Sequence, residues 1–291
     1  MNANELLHKV RKIEIKTRGL SSNIFAGEYH SAFKGRGMMF SEVREYQFGD
    51  DIRDIDWNVT ARHNHPFVKV YEEERELTVM LLVDVSGSRL FGAVGDEKRE
   101  MIAEIAATLA FSAIQNNDKI GVIFFSDRIE KFIPPKKGRK HILFIIRELL
   151  DFKPSGTRTD IAMVLKYFSD AIKKRTTTFL ISDFITDQNY SQALSIAANK
   201  HDVIGIQVYD KRDSELPDVG FLKVRDLEND NEIWVDSSSK KVRNSFSKWW
   251  YERQQSMISS FNRAHVDHSS IATNEDYVKA LMAMFQRRGL K

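Results

Sequence analysis

A chain of 291 residues with 44 basic and 41 acidic side chains carries a net charge of +3, so no global field draws it to nucleic acid or to an anionic membrane. It is long enough to bury about three quarters of its unfolded surface, in one large domain or one domain with a sizeable extension. It has no cysteine, which removes disulfides, thiolate zinc sites and cysteine nucleophiles at once and fits a reducing compartment.

In chain order, Leu6, Leu7, Val10 and Ile13 stand at helical spacing and predict a short helix to about residue 18. A polar, glycine-containing stretch from Arg18 to Gly37 follows. From Met38 to Glu76 charges and aromatics alternate densely, which is too aromatic for disorder. After Leu77 the pattern becomes strand and helix in turn. Leu77 to Val83, Ile120 to Phe125, Thr178 to Ile181 and Val203 to Val208 are the strands. Lys98 to Gln115, Arg139 to Leu150 and Asp160 to Lys173 are the helices. Two short β-like runs, Phe221 to Val224 and Glu232 to Val235, precede a long helix around Asn244 to Phe261. A last helix runs over Asn274 to Arg287. No stretch approaches 18 uncharged apolar residues and the N-terminus lacks an apolar signal core, so the expectation is a cytoplasmic protein with no membrane span.

The apolar run Leu77 to Val83 reads as a central strand of a parallel sheet, and Asp84-Val85-Ser86-Gly87-Ser88 leaves it at the end where such sheets bind ligands. Two further strand-end or helix-start loops offer matching groups, Ser155-Gly156-Thr157-Arg158-Thr159 and Ser182-Asp183. The plainer account is ordinary capping and turn chemistry by these serines, threonines and aspartates. Together, however, the five residues Asp84, Ser86, Ser88, Thr159 and Asp183 resemble the metal-ion-dependent adhesion site of von Willebrand factor A domains, with Thr157 as the fallback for the threonine. The resemblance implies hydroxyls that touch the cation and aspartates that act directly or through water. Hard oxygen donors of this kind suit Mg2+, with Mn2+ or Ca2+ as alternatives. With so few carboxylates around a doubly charged ion, a carboxylate from a partner can complete the coordination.

Ahead of that strand, Phe40-Ser41-Glu42-Val43-Arg44-Glu45-Tyr46, Gly49-Asp50-Asp51-Ile52-Arg53-Asp54-Ile55-Asp56-Trp57 and Ala61-Arg62 resemble the bacterial domain-of-unknown-function family 58, over about residues 20 to 190. Met38-Met39-Phe40 departs from the family pattern, where an acidic residue usually precedes the Phe. Many relatives carry membrane helices before this block; this chain resembles the short, soluble branch. The resemblance implies the company of a MoxR-type AAA+ ATPase and a role as adaptor or assembly factor. Arg44, Asp50, Asp51, Arg53, Asp54, Asp56 and Arg62 are expected to form a salt-bridged, partly buried network fixing the extension on the sheet, with Trp57 as its apolar anchor. Asp54-x-Asp56-x-Asn58 is no calcium loop, because Val59 and His65 stand where glycine and glutamate are needed.

Other signals are weaker. Pro134-Pro135-Lys136-Lys137-Gly138-Arg139-Lys140-His141 reads as a solvated basic turn. No Walker lysine motif, HExxH or Gly-x-Ser-x-Gly occurs, so ATP hydrolysis, catalytic zinc and a serine hydrolase are not expected. Trp249, Trp250 and Tyr251 either pack a helix onto the sheet or, if exposed, mark an interface.

The expected fold is α/β: a von Willebrand A-like (Rossmann-like), mostly parallel sheet flanked by helices over residues 77–291, with an N-terminal extension, 1–76, packing on it. The expected function is a non-enzymatic, metal-dependent protein–protein interaction module that binds a carboxylate of a MoxR-type ATPase or its client. The alternative is a magnesium-dependent phosphohydrolase or nuclease using the same residues.

Overall fold

A computed structural model describes residues 3–20, 29, 32, 39–63, 65–72, 77–86, 95–225 and 232–289. Ser88, with Gly87, lies outside the described residues, as do Gly35-Arg36-Gly37 and Met38.

The first helix, α1 (Ala3–Leu20), is followed by a two-stranded antiparallel sheet of β1 (Met39–Glu45) and β2 (Phe67–Glu72). Between these strands lie a 3-10 turn, Ile52–Asp54, and α2 (Trp57–His63). The main sheet then starts with β3 (Thr78–Asp84), α3 (Gly95–Gln115), β4 (Lys119–Phe125) and β5 (Ile129–Lys136). It continues through α4 (Arg139–Asp151), α5 (Ile161–Ala171), β6 (Thr177–Ser182), α6 (Ser191–Lys200) and β7 (Asp202–Tyr209). A short α7 (Lys211–Ser214) leads to the hairpin β8 (Phe221–Arg225) and β9 (Glu232–Asp236). The chain ends with α8 (Lys240–Arg263), β10 (Asp267–Ala272) and α9 (Tyr277–Gly289).

The six-stranded sheet has the order β10-β7-β6-β3-β4-β5, parallel except for β5. The period-2 geometry of a strand sends alternate side chains to opposite faces, and β3 shows both cores at once. Val79, Leu81 and Val83 join one cluster with Val10 and Ile13 of α1, Ile105 and Leu109 of α3, Ile145 and Leu149 of α4 and Leu281 and Phe285 of α9. Met80 and Leu82 join the other, with Val164 and Phe168 of α5, Leu194 of α6 and Met257 and Phe261 of α8. The result is a parallel sheet covered on both faces, the arrangement that near-continuous apolar strands require.

Two strands of the main sheet were not legible from apolar periodicity, nor were β1 and β2 in the charged block before it. β5 contains Pro134 and Pro135 and occupies a sheet edge, where a missing N–H leaves no ladder bond unmade. The basic stretch expected as a loop is therefore the end of an edge strand and the start of α4, entered through Gly138 at φ 101°. At the other edge β10 is the polar run Asp-His-Ser-Ser-Ile-Ala, parallel to β7. Close approach demands glycine at Gly205 of β7, where a Cβ would sit 2.6 Å from the Phe261 ring of α8.

The charged block before the sheet differs from expectation. Arg44 pairs bidentately with Asp50 at 2.8 Å on both nitrogens, but the other pairs are looser and local, Arg53 with Asp51 at 3.6 Å and Lys69 with Asp56 at 3.7 Å. Asp51 and Asp56 serve as caps: Asp51 accepts from Arg53 N, and Asp56 accepts from Asn58 N and Val59 N. Asp51, Arg53, Asp54 and Arg62 are exposed, and Trp57 is 67% exposed, so it is not a buried anchor among the described residues. Short side chains that cap their own turns have no reach left for the sheet.

Candidate functional site

In the sheet order, β3 has β4 on one side and β6 on the other. The chain leaves β3 through α3 toward β4, across one face, and leaves β6 through α6 toward β7, across the other. The loops therefore part at the carboxyl ends of β3 and β6, which opens the crevice where open α/β sheets take ligands. Asp84 is the last residue of β3 and Asp183 directly follows β6, so the two carboxylates flank the switch point.

Three oxygens converge there. The Thr159 hydroxyl donates to Ser86 Oγ at 2.8 Å and stands 3.2 Å from Asp84 Oδ2. Ser182 Oγ donates to Asp84 Oδ2 at 2.7 Å, and Ser86 N donates to Asp84 Oδ1 at 2.9 Å. Asp84, Ser86, Thr159, Ser182 and Asp183 are all buried, whereas Thr157 is exposed. Of the two candidate threonines it is thus Thr159 that reaches the crevice. Burial and the nearby Asp183 push the Asp84 carboxyl above its ordinary range, against the hydrogen bonds from Ser182 and Ser86.

The threonine loop is held from below. Glu130 of β5 accepts from Gly156 N at 2.7 Å, Ser155 N at 3.0 Å and Ser126 Oγ at 2.7 Å. These donors outweigh the opposing effect of burial and keep Glu130 below the usual carboxylate range. Gly156 is required by space, since a Cβ would lie 2.0 Å from Asp127 Oδ1 and 2.3 Å from Ser126 Oγ. Asp160 then caps α5, accepting from Met163 N at 2.8 Å, and its own N–H donates to Ser126 O.

On the β6 side the turn after Asp183 is tight. Phe184 sits at φ 59°, a left-handed conformation costly for an aromatic residue, and is fixed by burial and an edge contact to Phe261, ring centroids 5.1 Å apart. Ile185 N consequently donates back to Asp183 Oδ1 at 3.1 Å. Gln207 of β7 donates to the Asp183 carbonyl at 2.9 Å and accepts from Gln254 of α8 at 3.0 Å. Arg253 of α8 reaches the Thr186 carbonyl at 2.7 Å. The same helix buries Trp250 against Tyr209 and leaves Trp249 and Tyr251 at its surface.

The unforeseen member is Lys98, in the first turn of α3. Its ammonium lies 2.9 Å from Asp183 Oδ2 and 3.5 Å from Asp213 Oδ2, with Lys98 only 4% exposed. A cation there opposes the helix dipole, so the carboxylates must hold it. Burial works to lower the Lys98 pKa, but Asp183, Asp213 and Asp84 outweigh it and the net shift is upward. Asp213, also buried, is pushed up by desolvation despite Lys98. One lysine inside a charged helix start, among 44 basic residues, gave no pattern to single it out. Ser182 was equally silent, a small polar residue before the aspartate.

The donor set suits a hard cation. Octahedral Mg2+ with bonds of about 2.1 Å spaces neighbouring oxygens by about 3 Å. The Ser86–Thr159 and Thr159–Asp84 hydrogen-bond distances of 2.8 and 3.2 Å are compatible with that edge, so a cation replacing the shared proton would need little rearrangement. Asp183, in contrast, has Oδ2 on Lys98 and Oδ1 on Ile185 N. Among the described residues there is no cluster of three or more His, Asp or Glu side chains able to hold a metal, so such a site rests on hydroxyls.

A family model described as "Protein of unknown function DUF58" matches residues 42–256. The chain belongs to the DUF58 family. It is 28% identical to an uncharacterized protein of Mycobacterium tuberculosis, Rv1480, over 98% of this chain and 91% of that one. The uncharacterized protein YeaD of Bacillus subtilis is 24% identical over 45% of this chain and 29% of its own length. Among solved structures, BatB of Bacteroides thetaiotaomicron aligns over 74% of this DUF58 chain and 100% of that one, at 15% identity and a TM-score of 0.44. In this family member no helix among the described residues is long and apolar enough to cross a membrane.

Proposed function

We propose that this DUF58 protein is a protein–protein interaction module of the von Willebrand A-like kind that captures a partner carboxylate through a divalent cation. Ser86, Ser88 and Thr159 would hold the cation, and Asp84 and Asp183 would support it directly or through water. The observation that carries the reading is the hydrogen-bonded convergence of Ser86 Oγ, Thr159 Oγ1 and Asp84 Oδ2, all hard oxygen donors, at the sheet's switch point. When bound, the cation, Mg2+ before Mn2+ or Ca2+, supplies an electrophilic position that an external carboxylate can fill. Asp84 orients the Ser86 loop through its backbone bond, Thr159 fixes the spacing, and Glu130 keeps the threonine loop in place. The partner suggested by the family resemblance is a MoxR-type AAA+ ATPase or a client it remodels.

The test is recovery of partners from native lysate with tagged protein in Mg2+ or in EDTA, beside Asp84→Ala/Ser86→Ala. A specific protein lost in both EDTA and the variant supports the reading. Partners retained equally in all three remove it.

Lys98, 2.9 Å from Asp183 at the same switch point, favours one second reading, a magnesium-dependent phosphohydrolase or nuclease in which the ammonium faces a phosphoryl group. It expects turnover of p-nitrophenyl phosphate or its diester that Asp84→Asn abolishes. No turnover in Mg2+ or Mn2+ would remove it.

A further inference from the structure

Lys98 is the feature of the site that the metal reading does not need. A parallel sheet with a cation site at its switch point requires hydroxyls and carboxylates, yet here an ammonium already occupies Asp183 Oδ2 at 2.9 Å. A second carboxylate is already within reach of the ammonium, Asp213 Oδ2 at 3.5 Å, and both acceptors are buried with Lys98. Asp213 needs no rearrangement to receive the charge. It sits in the reciprocal capping box of α7, where its Oδ2 accepts from Asp210 N at 2.9 Å while Asp210 accepts from Arg212 N. Asp183 is pinned as well, through Ile185 N and through Gln207 on its carbonyl. The carboxylates are fixed points, and the four-carbon stem between them is the flexible part.

A divalent ion at Asp84, Ser86 and Thr159 would bring two positive charges toward an ammonium that already balances Asp183. If the ion also recruits Asp183, both cations would draw on that one carboxylate. In a buried site such like-charge proximity is screened little by salt.

Resting on the proposed metal site, we propose that Lys98 is a resident counter-cation that passes from Asp183 to Asp213 when a divalent ion binds. Asp213 thereby sets the metal affinity of a site it does not touch. Asp183 is free to support the ion only when the ammonium has moved. Asp213 is a positioning residue here, acting through Lys98, and the hand-over links the crevice to α7, which leads into the β8–β9 hairpin.

The experiment is Mn2+ binding to the full chain, followed by electron paramagnetic resonance of free Mn2+, for the wild type, Lys98→Met, Asp213→Asn, the double variant and Asp84→Asn. Lys98→Met should tighten Mn2+ by about tenfold or more, and Asp213→Asn should weaken it by about fivefold. In the Lys98→Met background Asp213→Asn should change affinity by less than about twofold, because the group it acts through is gone. A merely structural aspartate would weaken binding equally in both backgrounds, which overturns the proposal. Unchanged affinity in Lys98→Met overturns it too, while leaving the metal site standing if Asp84→Asn has lost binding. No saturable, Asp84-dependent binding in the wild type removes the metal reading and this inference with it. Near-UV circular dichroism checks folding. Should Lys98→Met not fold, Asp213→Asn against Asp213→Glu decides: only the neutral variant should weaken Mn2+, and equal affinity in both contradicts the hand-over.

Discussion

Two groups of opposite charges stand on this chain, one at the sheet's switch point and one in the block before it, and they differ in what surrounds them. Lys98, Asp183 and Asp213 have side chains 4, 2 and 8% exposed, whereas Arg53 and Asp51 in the block are 91 and 55% exposed. The block is the richer in charge along the sequence, and it drew the expectation of a network. Structure reverses the ranking: the dense cluster is local caps and surface pairs, and the sparse one, assembled from three distant segments, is the buried system. Charge density along a chain reports solvation at least as often as it reports a site, because burial decides what a charge pair is worth.

That contrast can be broken at its buried end first. Lys98→Ala leaves buried carboxylates facing one another with no cation, and should cost about 3–5 kcal/mol in urea denaturation at neutral pH. A loss under about 1 kcal/mol would mean that water already reaches the cluster.

A buried histidine sharpens the same point through pH. His201 bonds Thr176 through Nδ1 at 3.1 Å and packs on Phe168. Burial, with Lys200 and Arg175 nearby, pushes it down to about 4. Its folded value therefore lies below the unfolded one, so its contribution is complete above about pH 6.5 and is lost as pH falls through 4. Between those limits the wild type should lose about 2–3 kcal/mol more than His201→Gln, measured as paired urea curves. Parallel curves for the two proteins would show that the ring titrates in water.

Smaller effects follow. Gly156→Ala forces Asp127 and Ser126 aside and should cost about 1–2 kcal/mol in urea denaturation while loosening the Thr159 loop. At the exposed end, Trp57→Ala and Arg44→Ala should leave the denaturation midpoint within experimental scatter. A clear drop for either would restore the buried network that the sequence suggested.

How far the sequence spoke follows from the kind of signal each element leaves. β3, β4, β6 and β7 are apolar on both faces, and their runs were legible because both faces are covered. β5 and β10 hide behind prolines and polar residues, which edge positions tolerate. Asp84 and Ser86 were legible because a strand end fixes where their side chains go, and Thr159 because it stands just ahead of the Asp160 cap that starts α5. Lys98 and Asp213 were not, since their proximity arises only when α3 and α7 are brought to the same crevice. Trp57 misled for the converse reason: an aromatic among charges looks like an anchor, but α2 is a short helix lying on the surface.

The central claim is that a divalent cation sits among Asp84, Ser86 and Thr159. Its most direct test is an anomalous difference map from a crystal grown with Mn2+, collected with an Asp84→Asn crystal for comparison. The account predicts a peak at octahedral bonding distance from Ser86 Oγ and Thr159 Oγ1, absent in the variant. An empty crevice at millimolar Mn2+, with Lys98 still on Asp183, would contradict it.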